Sequence, residues 1–151
     1  MPFGVYGNSL GAAVAIQSMA NDNRLHCGVV ESPFATLREI VHEYFYRMSY
    51  LPINSIPDAA LLRSEKIASF TVDSVRPEES AKSITRPVMV VHGNMDAHIN
   101  WKYGRRVFDN IKSSQKKWVL ISGGTHINLS EIGGQQYLES IISFFEQNIG
   151  N

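Results

Sequence analysis

The stretch Gly7-Asn8-Ser9-Leu10-Gly11 decides the predicted fold. It follows a short apolar run at residues 3–6 and precedes small, apolar residues at 11–20, so a strand is expected before it and a helix after it. A G-x-S-x-G pattern in this context predicts a tight turn that holds the Ser9 hydroxyl above the end of a parallel sheet. The backbone of Ser9 is then strained, and Gly7 and Gly11 are predicted to lie too close to neighbouring backbone to carry a side chain. An ordinary glycine-bounded turn is the alternative interpretation.

Two more chemically active side chains follow predicted strands. Residues 87–93 form a continuous apolar, β-branched run bounded by Pro and Gly, which is typical of a buried parallel strand, and Asp96 follows it. Residues 118–122 form a second such run, and His126 follows on a glycine-rich loop. A hydroxyl, an imidazole and a carboxylate form the set that makes a serine nucleophilic. The sequence therefore predicts that Ser9, Asp96 and His126 meet at one edge of the sheet.

These motifs together resemble those of the α/β-hydrolase superfamily, most of all its BEM46-like and serine-aminopeptidase-like branch. Residues 6–13 resemble the nucleophile elbow of that family, although Ala12 stands where a glycine is frequent. Residues 84–96 resemble its acid motif, residues 124–128 its histidine loop, and residues 137–145 its closing helix. The order of serine, acid and histidine along the chain is also that of the superfamily.

The resemblance implies a serine hydrolase that cleaves an ester, a thioester or a small amide through an acyl-serine intermediate. Ser9 would be the nucleophile, His126 the general base and acid, and Asp96 the orienting acid. The backbone N–H of Leu10 would serve the oxyanion hole. Such chemistry needs no organic cofactor and no metal. The implied partner is a small-molecule ester or amide substrate.

The chain also departs from the family pattern. A complete α/β-hydrolase carries several strands before the elbow, whereas here the elbow begins at residue 7. We therefore expect the C-terminal half of the fold: a parallel sheet of about four strands flanked by helices. This would be a single truncated domain over residues 1–151, with a lid- or cap-like connection at about 33–86. A second oxyanion amide, which the family takes from an earlier loop, is expected to be missing.

The truncation leaves a second hypothesis open. The chain is then a non-catalytic hydrolase-like module, or one half of a sheet that a partner chain completes. The predicted strand at residues 3–6 would expose an apolar edge, which invites a homodimer or a sheet-completing chain.

Composition and charge limit the classes of protein and partner that the sequence allows. The chain has 151 residues, of which 44% are hydrophobic and 19% charged, as expected for one globular core. Its 14 basic and 14 acidic side chains balance, so no nucleic-acid partner is expected. The sequence holds no apolar run long enough for a membrane span and no signal-peptide pattern. With one cysteine, Cys27, in a predicted buried strand, we expect a cytoplasmic protein.

The long connection supplies the remaining predictions. Apolar residues at helical spacing over 36–49, among them Met48, predict a helix packed on the core. Tyr46 and Tyr50 fall off this stripe and are predicted to bind substrate. Asp58 is predicted to cap a second helix. His92, Asp96 and His98 do not have the spacing of a metal site, so no metal ligands are predicted.

Overall fold

The computed structural model describes residues 2–149 and contains one four-stranded sheet. The strands are β1 (Phe3–Asn8), β2 (Leu25–Glu31), β3 (Val88–Gly93) and β4 (Lys116–Ile121). All neighbouring strands pair in parallel, in the order β1-β2-β3-β4. The predicted α/β class with a parallel sheet of about four strands is therefore confirmed.

The described residues form six α-helices. They are α1 (Leu10–Asn21), α2 (Leu37–Ser49), α3 (Ser55–Ala68), α4 (Pro77–Ser80), α5 (Trp101–Asn110) and α6 (Leu129–Ile149). Helices α2, α3 and α4 all lie in the connection between β2 and β3. Because every strand runs in the same direction, the loops that follow the strands share one edge of the sheet. Within residues 2–149, no helix is long and apolar enough to cross a bilayer.

The two faces of the sheet carry separate hydrophobic clusters. Along β3, Val88 and Val90 pack with α1 and α5, and Met89 and Val91 pack with α6 on the opposite face. All four side chains are fully buried. Successive residues of a strand point to opposite faces, so a strand covered on both sides is apolar throughout. This is why residues 87–93 have no polar alternation.

Two helix starts differ from the sequence predictions. Asp58 does not cap α3: the helix begins at Ser55, and Asp58 in its first turn accepts hydrogen bonds from Arg38 and His42 of α2. Helix α5 begins after Asn100, whose side chain accepts the Lys102 N–H. Helix α6 begins earlier than residue 137, and it kinks at Gly134.

Helix α2 is less buried than its apolar stripe predicts. Ile40 is buried, but Met48 is 82% exposed, so the packing role expected for Met48 is wrong. The stripe packs on the core through Ile40, which clusters with Phe34 and Ile99, and through Leu37 and Tyr44, which are partly buried against the same cluster.

The glycines of the elbow have different surroundings. A Cβ on Gly7 would lie 2.3 Å from the carbonyl oxygen of Gly11, which confirms the predicted close approach. The same prediction for Gly11 is wrong, because a Cβ there meets no described atom within 4 Å apart from its chain neighbours and the backbone of its own helix. Helix α1 has an open surface at that position.

This contrast gives a matched pair of variants. Gly7→Ala is expected to lower the free energy of unfolding by about 1–3 kcal/mol or more, because backbone must move to admit the methyl group. Gly11→Ala is expected to leave stability unchanged or to raise it by up to about 1 kcal/mol, since alanine is the better helix former. Urea denaturation of both variants checks the prediction. Equal stability of the two variants would contradict this account of the turn.

Candidate active site

Ser9 lies in the turn between β1 and α1 in a strained conformation. Its φ is 55° and its ψ is −117°, a region that residues with a side chain rarely adopt. The Ser9 N–H donates to the carbonyl of Glu31 at 2.8 Å, which fixes the turn to the end of β2. The Ser9 side chain makes no capping hydrogen bond to α1. Its hydroxyl is therefore free to face the loops after β3 and β4.

The structure brings the three predicted side chains together. Nε2 of His126 lies 3.0 Å from Oγ of Ser9, and Nδ1 of His126 lies 2.8 Å from Oδ2 of Asp96. Each residue follows the end of a different strand, namely β1, β3 and β4. The Asp96 side chain is fully buried, and that of His126 is mostly buried.

Hydrogen bonds between the two loops set the distance from Asp96 to His126. The N–H of Gly123 donates to Oδ1 of Asn94 at 2.8 Å, and the N–H of Met95 donates to the carbonyl of Gly124 at 2.9 Å. Within the histidine loop, Oδ1 of Asn128 accepts both the N–H and the hydroxyl of Thr125. These bonds hold the loop residues on either side of the acid and the base.

Hydrogen bonding keeps Asp96 ionised despite its burial. Burial alone raises the pKa of this carboxyl, but hydrogen bonds from His126, His92 and the Ile99 N–H outweigh it, and the pKa lies well below its ordinary value. Oδ1 accepts the backbone N–H groups of His98 and Ile99, both at 2.8 Å. Oδ2 is thereby left to face His126.

Glu31 forms a buried cluster beside the serine turn that sequence reasoning missed. Its carboxylate accepts the amide of Asn8 at 3.1 Å and the hydroxyl of Tyr137 from α6. Burial, followed by the contact with Glu31, raises the pKa of Tyr137 far above its ordinary value. A polar residue at the end of an otherwise apolar strand was the available signal for Glu31. No local pattern pointed to Tyr137, which is 106 positions away.

A cavity of about 620 Å³ opens beside His126 on the side of this cluster. Its wall is polar at Asn8 and Glu31 and largely apolar along α6, where Leu138, Ile141 and Ile142 line it.

His98 is a second neighbour of the site that sequence reasoning did not assign. Its ring lies 5.2 Å from that of His126 and 6.4 Å from that of Tyr44, measured between centroids. Arg47 donates to the His98 carbonyl at 2.7 Å. Helix α2 therefore reaches the loop of Asp96 through Tyr44 and Arg47. The position of His98, two residues after Asp96, was the available signal.

The predicted substrate-binding tyrosines lie elsewhere on this helix. Tyr46 and Tyr50 are 56% and 80% exposed. Among the described residues, neither lines the cavity beside His126 or the smaller one beside His98. The structure does not place them with the three predicted catalytic side chains, and their binding role stays a prediction.

The oxyanion role of the Leu10 amide stays a prediction. Leu10 is the first residue of α1, so its N–H has no partner within the helix. Over residues 2–149 no group of three or more His, Cys, Asp or Glu side chains is arranged to hold a metal ion. The arrangement offers a hydroxyl, a base and a buried carboxylate in hydrogen-bonded sequence, which is the set for nucleophilic attack on a carbonyl.

Solved structures with the same fold include hydrolases. An esterase from Pyrococcus furiosus is 18% identical with a TM-score of 0.73, and the match covers 99% of this chain and 55% of the esterase. The acylaminoacyl peptidase of Pyrococcus horikoshii is 15% identical with a TM-score of 0.69, covering 97% of this chain and 24% of the peptidase. The esterase domain of a Rhodothermus marinus protein is 12% identical with a TM-score of 0.67, and the match covers 97% of this chain and 61% of the esterase domain. This chain thus spans about half the length of the Pyrococcus furiosus esterase.

Sequence comparison gives the family. A search of curated proteins finds no significant match. The sequence model of the prolyl oligopeptidase family, however, matches residues 2–151. Together with the esterase and peptidase structures, this confirms the α/β-hydrolase superfamily that the motifs resemble. The chain belongs to the prolyl oligopeptidase family.

Proposed function

We propose that this chain carries the catalytic triad of a serine hydrolase that cleaves an ester, a thioester or a small amide. The observation that carries the proposal is the continuous contact from Ser9 Oγ to His126 Nε2 at 3.0 Å and from His126 Nδ1 to Asp96 Oδ2 at 2.8 Å. The esterases and the peptidase of the same fold support this class of reaction.

The hydrogen-bond directions assign the roles. The Asp96 carboxylate only accepts hydrogen bonds, so the proton in its bond to His126 is carried by Nδ1 of the histidine. Nε2 is then the free base that faces the Ser9 hydroxyl. Because Asp96 is held ionised, it keeps this tautomer and stabilises the imidazolium that forms when Ser9 gives up its proton.

The reaction proceeds in two steps. Ser9 Oγ attacks the substrate carbonyl while Nε2 of His126 takes its proton, and His126 then gives this proton to the leaving alcohol, thiol or amine. Water attacks the acyl-Ser9 ester in the second step, again with His126 as base, and frees the serine. The Leu10 N–H, at the positive end of α1, stabilises the negative oxygen in both steps.

The outer edge of β1 is the proposed site of a sheet-completing chain. β1 is an edge strand that pairs with β2, and Phe3 and Tyr6 on it are about half exposed. Relatives of this fold are longer than this chain. We propose that a second copy, or a further stretch of sheet, pairs here and brings a second oxyanion amide toward Ser9.

Association through β1 can be tested by placing one charged side chain on this strand. The wild-type chain is expected to self-associate as its concentration rises, and Phe3→Lys is expected to weaken this, because lysine on an edge strand opposes further pairing. Ile67→Lys is the matched control, since Ile67 is an exposed apolar residue of α3 away from the edge. Light scattering after gel filtration measures both. A wild-type chain that is monomeric at every concentration would contradict the proposal.

The proposal that the chain is a serine hydrolase extends to its domain organisation and its compartment. We propose that residues 1–151 belong to a single domain and that residues 33–86 serve as a lid, whose helix α2 contacts the loop of Asp96 through Arg47. The single cysteine, Cys27, is buried and free, and the proposed compartment is the cytoplasm.

A turnover assay tests the reaction. The folded chain is expected to hydrolyse short p-nitrophenyl esters faster than the same chain after thermal unfolding, with the aryl thioester and the anilide of the same acid showing which bond is preferred. The second candidate, a non-catalytic module, is favoured by the coverage of only 55% of the esterase. A folded chain that turns over none of the three substrates would support that candidate.

A further inference from the structure

His92 is a buried histidine next to the proposed triad, and the mechanism above gives it no task. It lies at the end of β3, and its side chain is 0% exposed. Nε2 of His92 lies 2.9 Å from the carbonyl oxygen of Ile99 and 3.4 Å from Oδ2 of Asp96. The ring therefore contacts both the proposed acid and the loop that carries it.

The surroundings of the ring define its tautomer. The Ile99 carbonyl only accepts hydrogen bonds, so Nε2 of His92 carries a proton. Nδ1 is buried without a hydrogen-bond partner among the described residues. A proton there would leave an unsatisfied N–H in the core, which is costly, whereas a bare lone pair costs less. His92 is therefore assigned the Nε2–H tautomer, and this N–H faces both the Ile99 carbonyl and Oδ2 of Asp96.

Gly104 of α5 holds the ring in this place. A Cβ at Gly104 would lie 2.4 Å from Nδ1 of His92, so the helix and the imidazole are in direct contact. The ring is thus fixed between α5 on one side and the acid loop on the other.

The contact between His92 and Ile99 completes a small closed network of polar contacts with Asp96. The Ile99 carbonyl accepts from His92, and the Ile99 N–H donates to Oδ1 of Asp96 at 2.8 Å. Oδ2 of the same carboxylate faces both His92 and His126. Through these bonds His92 sets the position of the Asp96 carboxylate, and Asp96 sets that of the base.

We propose that His92 is a positioning residue, which acts through Asp96 to align His126 with Ser9. The inference rests on the proposed function for its catalytic consequence, but the alignment itself is a property of the folded chain. Misalignment of a reacting group by as little as about 1 Å costs on the order of 100-fold in rate.

Two substitutions of His92 separate a role in positioning Asp96 from a role in filling space. His92→Leu fills the site without a donor, and His92→Gln keeps an N–H close to the place of Nε2. Proton NMR of the wild-type chain at low temperature is expected to show the far-downfield Nδ1 proton of His126 in its bond to Asp96. We expect this resonance to broaden or vanish in His92→Leu and to return in His92→Gln. Its absence from the wild type, or its persistence in a folded His92→Leu, would overturn the proposal.

A second measurement reports the catalytic consequence. The rate of labelling by a fluorophosphonate is expected to fall about tenfold or more in His92→Leu and to recover most of that loss in His92→Gln. If the wild type does not label, the proposed function fails, and the NMR comparison still decides the role of His92. If the wild type labels and both variants label as fast as the wild type, the positioning role of His92 is contradicted while the proposed function stands.

Gly104→Ala provides an independent perturbation if His92→Leu does not fold. Its methyl group displaces the ring without removing the donor. The folded variant is expected to lose the downfield proton as His92→Leu does. An unchanged resonance in folded Gly104→Ala would contradict the proposal.

Discussion

Ser9→Ala is expected to lower kcat/KM for short p-nitrophenyl esters by about 10⁴-fold or more. The hydroxyl is the atom that forms the acyl intermediate, and removing one member of a triad forfeits most of the joint effect of all three. The backbone stays in its strained conformation, because the Ser9 N–H still donates to Glu31 and the glycine at position 7 is unchanged. Initial rates over a substrate series, together with the circular dichroism spectrum of the variant, measure the effect.

Ser32→Ala is the matched control for Ser9→Ala. Ser32 follows β2 as Ser9 follows β1, and it too has a positive φ, of 50°. Its side chain is fully buried, and its hydroxyl has no hydrogen-bond partner among the described residues. We expect Ser32→Ala to keep the wild-type rate. Equal rates for wild type and Ser9→Ala would show that the hydrolysis comes from the protein surface and not from this serine.

Asp96→Asn is expected to lower kcat by about 10⁴-fold while leaving the fold intact. The amide of asparagine donates toward Nδ1 of His126, which favours the tautomer whose proton sits on Nε2. That tautomer has no lone pair for the Ser9 hydroxyl. Because the pKa of Asp96 lies well below its ordinary value, the wild-type carboxylate stays ionised above about pH 4, so a loss of activity above that pH does not come from protonation of Asp96.

A second aspartate–histidine pair supplies the control. Oδ1 of Asp58 lies 2.9 Å from Nε2 of His42, between α3 and α2 and away from Ser9. Asp58→Asn makes the same chemical change to that pair. We expect it to leave kcat within about twofold of wild type, because Asp58 is partly exposed and such surface contacts contribute little. A similar loss in Asp58→Asn and Asp96→Asn would point to a general effect on stability.

The sequence predicted β3 best, because that strand is buried on both faces. The strand predicted as buried at residues 118–122 is the edge strand β4, where Leu120 is 41% exposed. Residues 88–91 and 118–121 are apolar without interruption, and their ends locate the loops of Asp96 and His126 to within a few residues. Gly7 likewise followed from the turn, since the close approach to the Gly11 carbonyl is a local property. In a parallel sheet, residues that follow the strands meet at one edge, so order along the chain predicts proximity in space.

Other features depend on contacts that no local pattern encodes. The start of α6 was missed because Gly133 and Gly134 weaken helix propensity, and the helix continues through a kink at the second glycine. The exposure of Met48 was missed because a stripe predicts which residues share a helix face and not how far the core extends under it. The link from Glu31 to Tyr137 joins β2 to α6 and is set by the packing of the fold.

The site of covalent labelling tests the central claim most directly. A fluorophosphonate reacts with a serine whose hydroxyl is activated by a neighbouring base, and it requires little substrate specificity. After incubation of the folded chain, intact mass followed by peptide mapping is expected to show one adduct per chain, on Ser9, with none in Ser9→Ala. An adduct on another residue, or a folded chain without any adduct, would contradict the claim that Ser9, His126 and Asp96 act as a catalytic triad.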